Sequence, residues 1–203
     1  MKINTIFKIF LVLAVMFILG GVKNSYAQKK TGIEIVVCGE IDKEVIEHIR
    51  TNLRDFLGVS VSISPPEMMP FDAYNVDRKQ YESLAIIKEI SEKKKDTNKK
   101  ILVIIDKDLY ASELNFVFGD TDKTSEIAII SLIRLRESYY GFLENKKLFF
   151  LRSVKEAMHA VSHLYGLDNC INPLCVMYFS NCLSDVDKKD YEFCDECLKK
   201  NQL

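Results

Sequence analysis

His159-Ala160-Val161-Ser162-His163 sets two imidazoles four residues apart, so on a helix both project from one face and can share a metal ion. Gly166 follows, placed to end that helix and turn the chain back toward the histidines. The spacing is that of H-E-x-x-H-x-x-G-x-x-H, where the Glu is a general base and the last His a third zinc ligand. Here those two positions hold Ala160 and Asn169.

Both replacements remove chemistry. Ala160 has no titratable atom, and general-base assistance is worth about 10²–10⁴ in rate. Glu156 lies one helical turn earlier, a poor position from which to substitute. A catalytic zinc takes three protein ligands and a water, and the amide oxygen of Asn169 is a weak donor. Asp168 would supply a carboxylate if the turn after Gly166 shifts by one residue. Two readings stay open for His159 and His163: an atypical metal site completed by Asp168, or two imidazoles satisfied at the edge of the core.

A second constellation lies downstream. Cys170-x4-Cys175 and Cys194-x2-Cys197 are two close pairs separated by a loop, the layout of a tetrahedral four-cysteine zinc site. The same spacing suits disulfides if the chain meets an oxidising milieu. Cys38 sits in an apolar run and reads as a small buried residue, while Cys182 has no partner by spacing. A thioredoxin-like use of Cys194-x-x-Cys197 is disfavoured, because no strand-to-helix setting surrounds it.

Apolar runs at Ile33–Val37, Val59–Ile63, Ile101–Ile105 and Ile127–Ile133 alternate with helix-period stretches, which predicts an α/β (α+β) domain with a mostly parallel sheet. The first helix is expected over about Asp42 to Phe56, burying Ile46, Ile49, Leu53 and Phe56 and leaving His48 at the surface. Arg78–Ser91 reads as a second helix. The third carries His159 and His163 beside a stripe of Leu151, Val154, Met158, Val161 and Tyr165, so both histidines should border the core. Beyond Gly166 the helical period stops, and the last quarter is expected to be irregular and held by its cysteines.

With 203 residues, 48% of them hydrophobic, the chain has enough apolar mass for one core. Lys2 and Lys8, the apolar run Ile9–Gly20 and Ser25-Tyr26-Ala27 before Gln28 read as a signal peptide over residues 1–27, leaving a mature domain over 28–203. Export to a periplasmic or extracellular space is expected, without stable membrane association after cleavage. The alternative is an uncleaved anchor within residues 5–22. Removing residues 1–27 takes away three lysines and no acid, so the formal charge moves from −1 to −4. Nothing in that balance suits nucleic acid, and the basic stretch Ser91–Lys100 reads as a solvated connector.

His159, His163, Gly166, Cys170, Cys175-Val176-Met177 and Phe193-Cys194-Asp-Glu-Cys197 together resemble the archaemetzincins, zinc metallopeptidases of the metzincin clan. The likeness continues upstream through Asp106-Lys-Asp108-Leu-Tyr110, Asn115-Phe-Val-Phe-Gly119, Ser131-Leu-Ile-Arg134-Leu135 and, more loosely, Arg78-Lys-Gln80-Tyr81. It implies a metzincin-like single domain with the zinc helix under a sheet edge that holds peptide, and Met177 in a turn beneath the metal. It further implies that Cys170, Cys175, Cys194 and Cys197 bind one structural zinc. Set against the family signature, Ala160 and Asn169 point to a catalytically degenerate member with no catalytic residue of its own, which binds a peptide or protein ligand. A working peptidase that holds a second zinc with His159, His163 and Asp168 is the alternative.

Overall fold

The computed structural model describes residues 31–94 and 98–200. The proposed signal peptide lies outside them. The main sheet contains β1 (Ile33–Cys38), β2 (Val61–Ile63), β5 (Lys100–Ile105), β7 (Gly119–Asp122) and β8 (Ile127–Ser131), in the order β2-β1-β5-β8-β7. The first four in that order run parallel, and β7 closes one edge antiparallel to β8. Between them, β3 (Tyr74–Asn75), β4 (Gln80–Glu82) and β6 (Leu109–Tyr110) form a small second sheet.

Both faces of the main sheet are covered at its centre, which is why β5 and β8 read as nearly continuous apolar runs. Ile33, Ile35 and Val37 of β1 face one core with α1 (Lys43–Leu57) and α3 (Lys146–Leu164), while Val36 and Cys38 face the other with α2 (Ser83–Lys93). That alternation is the period-two geometry of a strand. Helix α1 starts where Asp42 accepts a hydrogen bond from the Glu44 amide and stops at Gly58, φ +65°. Helices α4 (Leu183–Lys188) and α5 (Asp195–Lys200) punctuate an otherwise irregular last segment.

Three local expectations need correction. Phe56 is 42% exposed and Leu57 fills the core in its place, because the helix runs one residue further before Gly58 turns the chain. The second helix begins at Ser83 rather than Arg78, since Tyr81 pairs in register with Leu109 and draws Gln80–Glu82 into a strand. The strand that starts at Ile127 ends at Ser131, after which Ile133–Leu135 form a 3-10 turn. The first of the upstream motifs converge there: Arg134 makes two bonds to Asp108, at 2.6 and 2.7 Å, and Gln80 donates to Asp108 and to the Asn115 carbonyl.

Helix α3 is joined to α4 by buried charge. Arg152 grips Asp187 at 2.6 and 2.7 Å and Glu137 at 2.9 Å, and Lys155 caps the carbonyls of Val186 and Asp187. Lys189 meets Glu156 at 2.8 Å, with side-chain exposures of 0% and 5%. A buried pair contributes little against an apolar replacement, yet breaking one partner strands the other, which costs about 3–5 kcal/mol. Lys189→Met should therefore lower unfolding stability by about that amount, and adding Glu156→Leu should restore part of it. Urea denaturation of both single variants and the double variant checks this; a double-variant loss equal to the sum of the single losses would show the pair to be uncoupled.

Candidate metal centre

Helix α3 ends in two bonds that set its last turn: the Gly166 amide donates to the His163 carbonyl at 3.0 Å and the Leu167 amide to the Ser162 carbonyl at 3.2 Å. Gly166 sits at φ +93°, a region that disfavours a Cβ, and the chain thereby doubles back past the histidines. His163 Nδ1 lies 2.8 Å from the Leu167 carbonyl, and His159 Nδ1 lies 3.0 Å from the Val176 carbonyl. A carbonyl only accepts, so each Nδ1 carries the ring proton and each Nε2 presents a lone pair.

Those two Nε2 atoms lie 3.1 Å apart. Two lone pairs at that distance repel unless a cation lies between them, and two nitrogens on one tetrahedral zinc stand about 3.3 Å apart. The imidazole pair therefore fits a metal ion. Burial pushes the His159 pKa well below the usual histidine value, with Lys189 and His163 adding to the effect, and burial also lowers His163. Both rings are neutral at pH 7, the form that ligates.

Completion of the site is a separate matter. Asn169 lines the cleft together with His163. Asp168 lines the same cleft, but its side chain is 88% exposed and pairs with Lys123 at 3.1 Å. Among the described residues, no third His, Cys, Asp or Glu closes a metal-sized cluster with the two imidazoles. Ala160, between them, is buried and holds the Thr121 hydroxyl at its carbonyl, 3.1 Å away, tying β7 to α3.

Cys170, Cys175, Cys194 and Cys197 do converge, with all four sulfurs within 4.8 Å of one another. Cys170 and Cys194 are 3.7 Å apart, close to the edge of about 3.8 Å in a tetrahedral zinc–thiolate centre. The four donors thus form a metal-binding group of the right size and softness. The backbone amide of Cys197 brings the Cys194 thiol down to about 7, whereas burial raises Cys175 and Cys197. A divalent cation removes that conflict, because it stabilises all four thiolates together. Cys38 is buried in the sheet, and Cys182 is exposed at the start of α4.

The cleft has two lobes that meet at His159 and Ala160. One, of about 200 Å³, is lined by Leu114, Phe116, Phe118, Glu156 and Ser180; the other, of about 520 Å³, by Thr121, Lys123, His163 and Asn169. Gly119 and Phe179 border both. A Cβ on Gly119 would lie 2.7 Å from the Ile129 carbonyl, so only glycine lets β7 start here. Sequence reading did not find Thr121, Lys123 or Phe179; their types carry no signal until β7 and the turn after Met177 bring them to the helix.

The sequence pattern of peptidase family M54 matches residues 29–202. The chain belongs to the archaemetzincin family. It is 38% identical over 164 residues to the archaemetzincin of Methanocaldococcus jannaschii, covering 81% of this chain and 89% of that one. With the archaemetzincin of Pyrococcus abyssi it shares 36% over 174 residues, covering 83% and 93%. Among solved structures, a zinc-dependent peptidase from Methanocorpusculum labreanum superposes with a TM-score of 0.78 at 26% identity, covering 84% and 100%. The archaemetzincin of Archaeoglobus fulgidus, solved with malonate, does so at 0.71 and 32%, covering 83% and 99%. The archaemetzincin fold, a mixed α/β domain with a mostly parallel sheet, is therefore established for this chain.

The depressed histidines give a pH dependence. Their folded pKa values lie below the unfolded value of 6.5, so the folded state binds fewer protons in that window. Their contribution is present above pH 6.5 and is lost as pH falls from there toward the depressed values. Without added metal, urea midpoints should drop between pH 7.5 and 5.5, and the drop should shrink in the His159→Gln, His163→Gln variant. An unchanged slope in that variant would assign the effect elsewhere.

Proposed function

We propose that this archaemetzincin-family protein is an exported domain that keeps the fold and the groove but does not cleave peptides. Support for this comes from the position where the family signature has its base: Ala160 offers no proton acceptor. The nearest carboxylate on the helix, Glu156, is engaged by Lys189 in the buried pair. Zinc bound at His159 and His163 would act as a Lewis acid toward a carbonyl, while Ala160 supplies nothing to move a proton, and Glu156 and Asp168, which border the cleft, are held by Lys189 and Lys123. Asn169 in place of a third imidazole weakens hold on the metal. The residues that remain orient and exclude water: Gly119, Thr121 and Phe179 shape the groove around a peptide or protein ligand. One zinc at Cys170, Cys175, Cys194 and Cys197 stabilises the C-terminal segment.

The second reading is an active peptidase whose metal is held by His159, His163 and Asp168. It draws on the presence of Asp168 in the same cleft, and it requires the carboxylate to leave Lys123.

A panel of native protein, Ala160→Glu, Asn169→His and the double variant separates the two. On a peptide library with added zinc, the native protein should be inert and the double variant should cleave in a chelator-sensitive way. Each single change should give less than about one-hundredth of the double variant's rate, since base and third ligand serve different steps. Chelator-sensitive cleavage by native protein would instead establish the Asp168 reading.

Two further measurements bear on the rest. Cys194→Ser with Cys197→Ser should lose the zinc found in native protein and melt at lower temperature; disulfides joining the four cysteines in metal-free native protein would refute the zinc proposal. Recovery of a mature chain beginning at Gln28 is expected on N-terminal sequencing, whereas intact Met1 in the cytosol rules out export and intact Met1 in membranes assigns an anchor.

A further inference from the structure

Two of the hydrogen bonds described above come from opposite arms of one short segment. The Val176 carbonyl that aims His159 belongs to the residue immediately after Cys175, and the Leu167 carbonyl that aims His163 lies three residues before Cys170. The arms are laced to each other and to the last segment: the Cys170 amide donates to Met177 at 2.8 Å, the Val176 amide to Glu192 at 2.9 Å, and the Cys194 amide to Cys175 Sγ at 3.4 Å. Asn172 donates its amide to Cys170 Sγ at 3.4 Å. Each orienting carbonyl thus lies within three residues of a cysteine of the four-sulfur group.

We infer that the four-cysteine group acts as the positioning device for the histidine pair, so that metal held by the sulfurs raises the metal affinity of His159 and His163. The inference rests on the metal-binding readings of both groups proposed above. Its physical basis is that a ligating imidazole depends on the acceptor at its other nitrogen for tautomer and direction, and losing such an acceptor lowers metal affinity about 10–100-fold. Here neither acceptor is a side chain. Both are carbonyls whose placement follows the backbone, and the backbone on both arms is drawn together at Cys170, Cys175 and Cys194. Four sulfurs within 4.8 Å of one another are the donor set that a shared tetrahedral cation draws together and holds. Loosening the arms frees each Nδ1 from its carbonyl, the proton moves between the ring nitrogens, and the convergent Nε2 lone pairs are lost.

Coupling of this kind is reciprocal: if the sulfur site strengthens the histidine site by a given factor, metal on the histidines strengthens the sulfur site by the same factor. This gives a test in the intact, folded chain. Zinc affinity of the four-cysteine group is measured by competition with a chelator of known affinity, with and without cobalt(II) bound at the histidines, which its visible absorption reports. The expected result is an increase of about 10–100-fold with the histidine pair occupied, and no increase in the His159→Gln, His163→Gln variant. Equal affinities in native protein overturn the inference.

If zinc-loaded native protein takes up no cobalt, the metal reading of the histidines fails, and imidazole tautomers read by nitrogen NMR decide the coupling by themselves. Both rings as the Nδ1–H tautomer in zinc-loaded protein, mixed after zinc is stripped, support it; tautomers indifferent to zinc overturn it. If native protein holds no zinc at its cysteines, metal analysis shows it directly, and that reading and the coupling fall together.

Discussion

The hydrogen bonds from His159 Nδ1 and His163 Nδ1 to two main-chain carbonyls constrain everything the cleft can do. They fix the proton on the outer nitrogen of each ring and leave two lone pairs facing one another at 3.1 Å. Keeping the carbonyls in place requires the Gly166 turn on one side and the Cys175-Val176-Met177 turn on the other. Those turns depend in turn on the sulfur group and on α4, which the buried charges of Arg152, Lys155 and Glu156 fasten to the same helix. The histidine helix is therefore not a free-standing motif; its useful face exists because the irregular segment after it is folded.

Much of this was legible in the sequence where the signal is local. Strands β1, β5 and β8 announced themselves because burial on both faces leaves their runs almost wholly apolar, with Glu34 the exception inside β1, and the His and Cys spacings reflect geometry within a few residues. Strand β7 gave no such signal: Gly-Asp-Thr-Asp is a polar edge, and only pairing with Ala128 and Ile129 makes it a strand. The start of α2 was misread for a similar reason, since the pairing of Tyr81 with Leu109 overrides a helical period. Phe56 was assigned to the core on period alone, and Leu57 at the helix end proved the better fit. The choice between Asp168 and Asn169 turned on a single residue of register after Gly166, which no pattern of residue types determines. Nor does any local pattern announce that Glu156 finds Lys189, thirty-three residues away.

Among the described residues no helix is long and apolar enough to cross a membrane, and the groove along β7 is framed by short, well-anchored elements. Thr121 fastens the edge strand to α3, and Gly119 admits no side chain. A groove built this way retains its shape when the side chains at its centre change, because its walls draw only on the main-chain carbonyl of position 160, which any residue supplies. Loss of a base at that position is thus compatible with the rest of the architecture, as the match over residues 29–202 illustrates.

Four sulfur donors also carry a chemical liability. Thiolates bind soft ions by polarisability rather than by size alone, so cadmium, mercury and cuprous ions compete for such a centre. Each sits at its own distance from sulfur and would resize the tetrahedron. Because the turns that begin at Cys170 and Cys175 set the neighbouring backbone, a foreign ion there would be felt as a displacement of main-chain oxygens beside the cleft, with no histidine touched. A poisoned molecule of this kind would keep its sheet, its core and its surface, and would differ from a healthy one by the angle of two peptide planes.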